Sequence, residues 1–189
     1  MSSETKPTLL RITRELIDGR GLGSVSMRRL GRHAELSRTA IYRHFKNKES
    51  LLAAIVVENF ETLLMNMTKL ETIPADSKEF LVNMLNGYYQ FAMENSEHYH
   101  LMFNTQWDNE TFPEIKEAAY VVYQRTSEYV ATALRQSNPT NHTSKEATAI
   151  IYAFIHGLVE LHLAGHTETE KGLNNPNILI ERMIDAIFS

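Results

Sequence analysis

The sequence predicts an all-α protein, with a small basic module at the N-terminus and a larger acidic helical remainder. Apolar residues recur every three or four positions along most of the chain, and no alternating strand pattern or hairpin turn stands out. The periodic stretches are punctuated by Ser, Asn, Gly and Pro, where helices start and stop. Charge is also divided unevenly: residues 1–50 carry eleven Lys and Arg against five Asp and Glu, a net of +6, while residues 51–189 carry eight against eighteen, a net of −10. A basic block of this size attracts a polyanion such as nucleic acid, and an acidic remainder repels one.

In chain order, Leu9, Ile12, Leu16 and Ile17 form the apolar face of a first helix, which the glycines at 19, 21 and 23 stop. Ser26 is a candidate N-cap for a short second helix with Met27, Leu30 and Ala34 inward. After a break at Glu35 and Leu36, Ser37 caps a third helix whose inner face is Ala40, Ile41 and Phe45, ending near Lys46 and Asn47. Two short helices joined by about three residues have the proportions of a helix-turn-helix. A fourth helix runs from Lys48 with Leu52, Ile55, Val56, Phe60, Leu63, Met67 and Leu70 buried, and "ETIPADS" breaks it at Pro74. Further helices are expected at 77–94, 96–104, 112–136 and 144–166, the fourth of these preceded by "SNPTNHTS". A last one opens at Asn175 and Pro176, with Ile180, Met183, Ile184 and Ile187 on one face, since Pro suits a first helical turn. The expected division is a DNA-binding domain at 1–47 and a helical regulatory and dimerisation domain at 48–189.

Composition excludes some chemistries. There are no cysteines, so disulfides, thiolate metal sites and cysteine nucleophiles are absent. The N-terminus lacks the apolar stretch of a signal peptide, and no uninterrupted apolar run approaches the roughly 18 residues of a membrane span. The expected location is the cytoplasm, with no membrane partner. Serine-nucleophile, phosphate-loop and dinucleotide signatures are missing too.

The stretch "SMRRLGRHAELSRTAIYRHFKNKES" (26–50) holds Arg28, Arg29, Arg32, Arg38, Arg43, Lys46 and Lys48 against only Glu35 and Glu49. In a helix-turn-helix the second short helix enters the major groove of double-stranded DNA, its first turn at the base edges. That turn here is Ser37, Arg38, Thr39 and Ala40. Arg38 suits a guanine edge, and Thr39 and Ala40 are small enough for close approach or a thymine methyl. Tyr42, Arg43 and His44 follow as phosphate contacts, with Ser26, Met27 and Arg28 at the start of the second helix and Lys48 at the start of the fourth. Tyr42 has a core alternative, and Arg29, Arg32, His33 and His44 a solvated-surface one.

This stretch, with the helix before it, resembles the N-terminal domain of the TetR family of bacterial transcriptional regulators. The resemblance rests on Ser26, Ala34, Ser37, the run Tyr42, His44 and Phe45, and then Lys48 and Leu51, and it is dense over about residues 8–55. Glu35 departs from it, standing where most members have Gly. A glycine there accepts positive φ without strain, so a mildly strained or altered turn is expected.

The resemblance implies a helical C-terminal domain that dimerises and often holds a small-molecule inducer. The stretch 144–166 is apolar nearly all round, as a helix buried on several sides is. Its Ile151, Phe154, Ile155 and Leu158, with Ile180, Ile184 and Ile187 of the last helix, are the expected homodimer interface, and Gly157 would allow close approach. "FIHG" also resembles a His-Gly signature of one C-terminal subclass. Candidate ligand-pocket residues are Tyr88, Phe91, Tyr99, Met102, Phe103, Trp107, Tyr120, Tyr123 and His156, although aromatics and Met at helical spacing also build ordinary cores. His162 and His166 stand four apart, as a metal-binding pair can, but no third ligand is fixed and Leu163 occupies the place of a zincin glutamate. No metal and no cofactor are expected. The expected function is a dimeric, sequence-specific DNA-binding regulator, a repressor released from a near-palindromic operator by a small apolar or aromatic ligand. The alternatives are a helical metal-dependent enzyme using the C-terminal histidines, and a regulator controlled by a protein partner.

Overall fold

The computed structural model describes residues 4–70, 76–137 and 143–189. Among these it contains nine α-helices and no strand: α1 Thr5–Arg20, α2 Met27–His33, α3 Arg38–Tyr42, α4 Lys48–Leu70, α5 Ser77–Glu94, α6 Ser96–Phe103, α7 Pro113–Gln136, α8 Ser144–Leu163 and α9 Pro176–Phe188. Single 3-10 turns lie at Leu22–Ser24 and Thr169–Lys171. The expected breaks at Pro74 and at Asn138 to His142 lie outside the described residues.

Local chemistry fixes most of the starts. Ser26 accepts from Arg29 N, Ser37 from Ala40 N and Asn175 from Ile178 N, the last with Pro176 in the first turn. Asn47 Oδ1 takes Ser50 N at 2.8 Å while Ser50 Oγ takes Asn47 N, which opens α4. Thr143 and Glu146 form a reciprocal capping box for α8. The cap at Asn47 also explains a difference from the expected third helix. Helix α3 ends at Tyr42 and not near Lys46, because the chain must turn after Phe45 to reach the Asn47 cap.

The chain groups into two compact units, residues 1–62 with 95–119, and 63–94 with 120–189. Helices α4 and α7 contribute to both. In the first unit Leu9, Ile17, Leu30, Ile41, Leu51 and Ile55 are almost fully buried, and Phe60 of α4 meets Phe103 of α6 edge-on at 5.7 Å. In the second, α5, α8 and α9 pack together around Leu81, Ile151, Val159, Ile180 and Phe188. On average composition α4 is apolar and long enough to cross a bilayer, but half of its apolar window is buried within the protein.

Candidate nucleic-acid interface

The turn between α2 and α3 orients the basic segment. Glu35 is the single described non-glycine residue with positive φ, at 52°. This is the strain expected of a side chain in a position that favours glycine. From it Leu36 N reaches back to Gly31 O at 3.0 Å, and Ile41 Cδ1 would lie only 2.9 Å from a Cβ at Gly31. Glycine at 31 therefore lets α3 seat closely on α2.

Packing this close sorts the side chains. Leu30, Ile41 and Phe45 face inward, while Ser26, Arg28, Arg32, Ser37, Arg38, Thr39, Tyr42 and Arg43 are exposed, with Met27, Ala40, His44 and Lys48 half-buried. A groove of about 610 Å³ between the two helices is lined by Met27, Arg28, Gly31, Arg32, Glu35, Leu36, Arg38, Ile41 and Tyr42. Three arginines stand around an apolar floor, with Glu35 the one acid among them. The Arg38 guanidinium lies over the Tyr42 ring, 5.3 Å from its centroid, so Tyr42 is part of the face and not of the core. Arg29 has a different job: Nη1 donates to Ser24 O at 3.0 Å and braces the turn before α2.

The nine candidate pocket residues divide between the units. Tyr99, Met102, Phe103 and Trp107 belong to the first. Tyr99 is 1% exposed and packs on Phe103, and Trp107 Nε1 donates to Leu101 O at 2.9 Å, so these act largely as core. Tyr88, Phe91, Tyr120, Tyr123 and His156 belong to the second, where four of them come together. The Tyr88 hydroxyl lies 3.4 Å from His156 Nε2, Tyr120 and Tyr123 are stacked, and Tyr152 stands between Tyr123 and His156 at ring distances of 5.3 and 5.8 Å. Tyr152 was not anticipated, although its spacing of four from His156 puts both on one face of α8. Burial raises the Tyr152 phenol to about 12 and lowers the His156 imidazole, so both stay neutral near pH 7.

Six of the seven residues expected at the dimer interface are buried within the single chain. Ile151, Ile155, Leu158, Ile180, Ile184 and Ile187 are each no more than 5% exposed within the single chain, where α5, α8 and α9 cover one another. Only Phe154 of the seven is half-exposed, and the open apolar stripe on α8 is Ile150, Ala153, Phe154, Gly157 and Leu161.

The histidine pair has no ligand geometry. Tyr89 donates to His162 Nδ1, and His162 Nε2 donates to Leu173 O at 2.8 Å, so both ring nitrogens are engaged by protein. His166 is exposed beside Glu168. Among the described residues no three His, Asp or Glu side chains converge as a metal site.

A helix-turn-helix whose exposed face is basic, followed by a helical body with an aromatic cluster, defines a DNA-binding transcriptional regulator. Two family models agree: that of the bacterial regulatory proteins of the tetR family matches residues 9–55, and that of the tetracyclin repressor-like C-terminal domain matches residues 81–187. The chain belongs to the TetR family. It is a regulator and not an enzyme.

Among its relatives, the HTH-type transcriptional regulator UidR of Escherichia coli is 23% identical over 149 residues, 77% of this chain and 74% of UidR. The structure is similar to that of a Rhodococcus protein of unknown function, with a TM-score of 0.82 and 18% identity over 98% of this chain and 96% of the other. It is also similar to RolR solved with resorcinol (TM-score 0.70, 15% identity, covering 98% and 88%) and to the fatty acid degradation regulator FadR of Bacillus halodurans (TM-score 0.73, 13% identity, covering 94% and 96%).

Proposed function

We propose that this regulator works in the cytoplasm as a homodimeric repressor on a near-palindromic operator, and that a small apolar or aromatic ligand releases it. Residues 1–47 are the DNA-binding part and 48–189 the regulatory and dimerisation part. Ser37, Arg38, Thr39 and Ala40 read bases, while Ser26, Met27, Arg28, Tyr42, Arg43, His44 and Lys48 hold phosphates. The observation that carries the reading is the sorted face of α2 and α3, with cations and hydroxyls outward over a rigid apolar seat. The open stripe on α8 supports a dimer, because an apolar helix face of this kind needs a partner. Two copies would set recognition helices about 34 Å apart, one turn of DNA.

The ligand reading is supported by the cluster of Tyr88, Tyr123, Tyr152 and His156, apolar ring surface with neutral hydrogen-bonding groups. A neighbouring fold holds resorcinol, a small aromatic of matching chemistry.

The test is selection of a duplex from a random pool, followed by challenge of the complex with resorcinol and other small phenols as probes. A palindromic duplex bound with steep salt dependence and displaced by a phenol is the expected result. A duplex that no phenol displaces removes the aromatic-ligand reading and favours control by a protein partner. Failure to select any duplex at low salt would remove the operator reading.

A further inference from the structure

The best-connected buried polar group away from the DNA face is His98 of α6. It is 4% exposed, and both of its ring nitrogens are engaged within the first unit: Nδ1 lies 3.1 Å from Asn59 Nδ2 on α4, and Nε2 lies 3.0 Å from Asp18 Oδ1 on α1. Asn59 is itself 1% exposed, and its Oδ1 accepts from Arg14 Nη1 at 2.9 Å. The same guanidinium donates through Nε and Nη2 to Glu58 Oε2, at 3.0 and 2.9 Å. One residue before His98, Glu97 Oε2 accepts from Leu22 N at 2.7 Å. Two consecutive residues of α6 thus grip the end of α1 and the turn that follows it.

The chain of donors fixes a protonation state. A guanidinium only donates, so Arg14 holds the Asn59 amide with its oxygen toward α1 and its NH2 toward His98. His98 Nδ1 must then accept, which leaves the ring proton on Nε2, donated to Asp18. A second proton on Nδ1 would set two donors face to face 3.1 Å apart in a buried site. Turning the Asn59 amide would only move that conflict to Arg14.

The groups that face the ring are Asp18 and Arg14 from α1, Asn59 from α4 and Glu97 from α6 itself, with Glu58 behind Arg14. Burial is the largest influence and lowers the imidazole below its ordinary value; the Asp18 hydrogen bond and charge oppose it, Arg14 adds to it and Glu97 opposes it.

We propose that His98 is a positioning residue for DNA binding. Neutral, it pins α1 to α4 and α6 and so holds the seat of α2 and α3; doubly protonated, it loosens that joint and operator affinity falls. Because the folded ring binds a proton less readily than an unfolded one, the joint gains stability as pH rises toward the ordinary histidine range, and it is lost as pH falls through the lowered value. His98 lies on α6, outside the α2 and α3 face, so an acid-side loss of affinity that depends on His98 is distinguishable from any change at the face itself.

The experiment measures affinity of the full chain for its selected duplex at constant ionic strength, from about pH 8 down to the lowest pH at which the protein stays folded and past the His98 midpoint read by NMR, for wild type and His98→Gln. Glutamine keeps one donor and one acceptor but does not titrate. The expected wild-type loss approaches about tenfold per pH unit below the His98 midpoint and is absent in His98→Gln; parallel profiles would overturn the proposal. A second readout needs neither DNA nor that variant. Imidazole nitrogen NMR of the free protein is expected to show the Nε2–H tautomer, with a midpoint that rises in Asn59→Asp, where an acceptor faces Nδ1. An Nδ1–H tautomer, or a midpoint that Asn59→Asp leaves in place, would also overturn it.

Discussion

Ile41 of α3 lies so close to Gly31 of α2 that a Cβ on the glycine would come within 2.9 Å of Ile41 Cδ1, and within 3.2 Å of Leu36 O. Gly31→Ala therefore sets two effects against each other. Alanine favours the helix over glycine by about 1 kcal/mol, whereas forcing a methyl into a packed seat costs about 1–3 kcal/mol. Ile41 is 1% exposed and Leu36 is tied to Gly31 through its backbone, so neither neighbour yields easily. The expected result is a net loss of about 1 kcal/mol by chemical denaturation, with a larger loss and weakened operator binding for Gly31→Val. A more stable Gly31→Ala would show that the seat is looser than its geometry indicates.

Glu35 offers two separable gains. Its φ of 52° is strained for any residue with a Cβ, and its carboxylate stands in a groove with Arg28, Arg32 and Arg38. Glu35→Gly relieves the backbone and removes the charge; it is expected to stabilise the fold by about 0.5–1 kcal/mol after the entropy cost of glycine, and to tighten DNA binding. Glu35→Gln removes the charge alone. It should tighten binding without the gain in denaturation midpoint, and equal midpoints for the two variants would show that the turn carries no strain.

How much of this was legible in the sequence depended on the range of the interactions involved. The caps Ser26, Ser37 and Asn175 and the strained turn at Glu35 follow from local chemistry and could be read directly. The length of α3 could not, because it is set by where the Asn47 cap begins the next helix. Apolar periodicity at Ile151 and Ile155 is the same whether a face is buried by the chain itself or by another copy, so the sequence does not show that both are already buried within the single chain. The aromatic list mixed two units because its members are neighbours in sequence and not in the fold. His98 gave no local signal at all, since Asp18 and Asn59 lie 80 and 39 residues away.

The exposed and buried faces of α8 allow assembly to be separated from folding. Ile150 is 41% exposed and lies on the open stripe, whereas Ile151 is fully buried. Ile150→Glu is expected to leave helicity and thermal stability of the monomer near wild type, to give a monomer in sedimentation, and to abolish binding to a palindromic duplex while sparing weak half-site contact. Ile151→Ala should instead destabilise by about 2–5 kcal/mol through the cavity it leaves. A dimeric Ile150→Glu would place the interface elsewhere.

Tyr152 gives the second unit an alkaline signature. Its phenol is held up to about 12 by burial, although the hydrogen bond with Thr126 works in the other direction. The unfolded chain ionises at the ordinary tyrosine value and the folded chain does not, so the folded state loses stability as pH rises between about 10 and about 12, by about 2 kcal/mol across that window. Burial also raises the Tyr89 phenol, so ultraviolet titration should show a late ionisation at about 12 that is lost in Tyr152→Phe while that of Tyr89 remains, and Tyr152→Phe should flatten the alkaline fall in stability. An ionisation at about 12 of unchanged amplitude in Tyr152→Phe would assign it to another residue.

Arg38 and Lys48 should fail in different ways if they do different jobs. The Arg38 guanidinium rests over the ring of Tyr42, one turn further along α3 and 5.3 Å from the ring centroid, on the exposed face of that helix. Arg38→Ala is expected to cost about 1–3 kcal/mol on the preferred duplex and to relax preference at a single base position, with little change on non-specific DNA. Lys48→Ala should weaken binding to all sequences alike and reduce the slope of log affinity against log salt by about 1, as loss of one phosphate contact does. Tyr42→Phe keeps the ring under Arg38 and removes only the hydroxyl, so it belongs with Lys48 and not with Arg38. The decisive measurement is the affinity of each variant across a panel of single-position operator variants at two salt concentrations. Equal losses for Arg38→Ala at every position would remove its role as a base reader and leave it a phosphate contact.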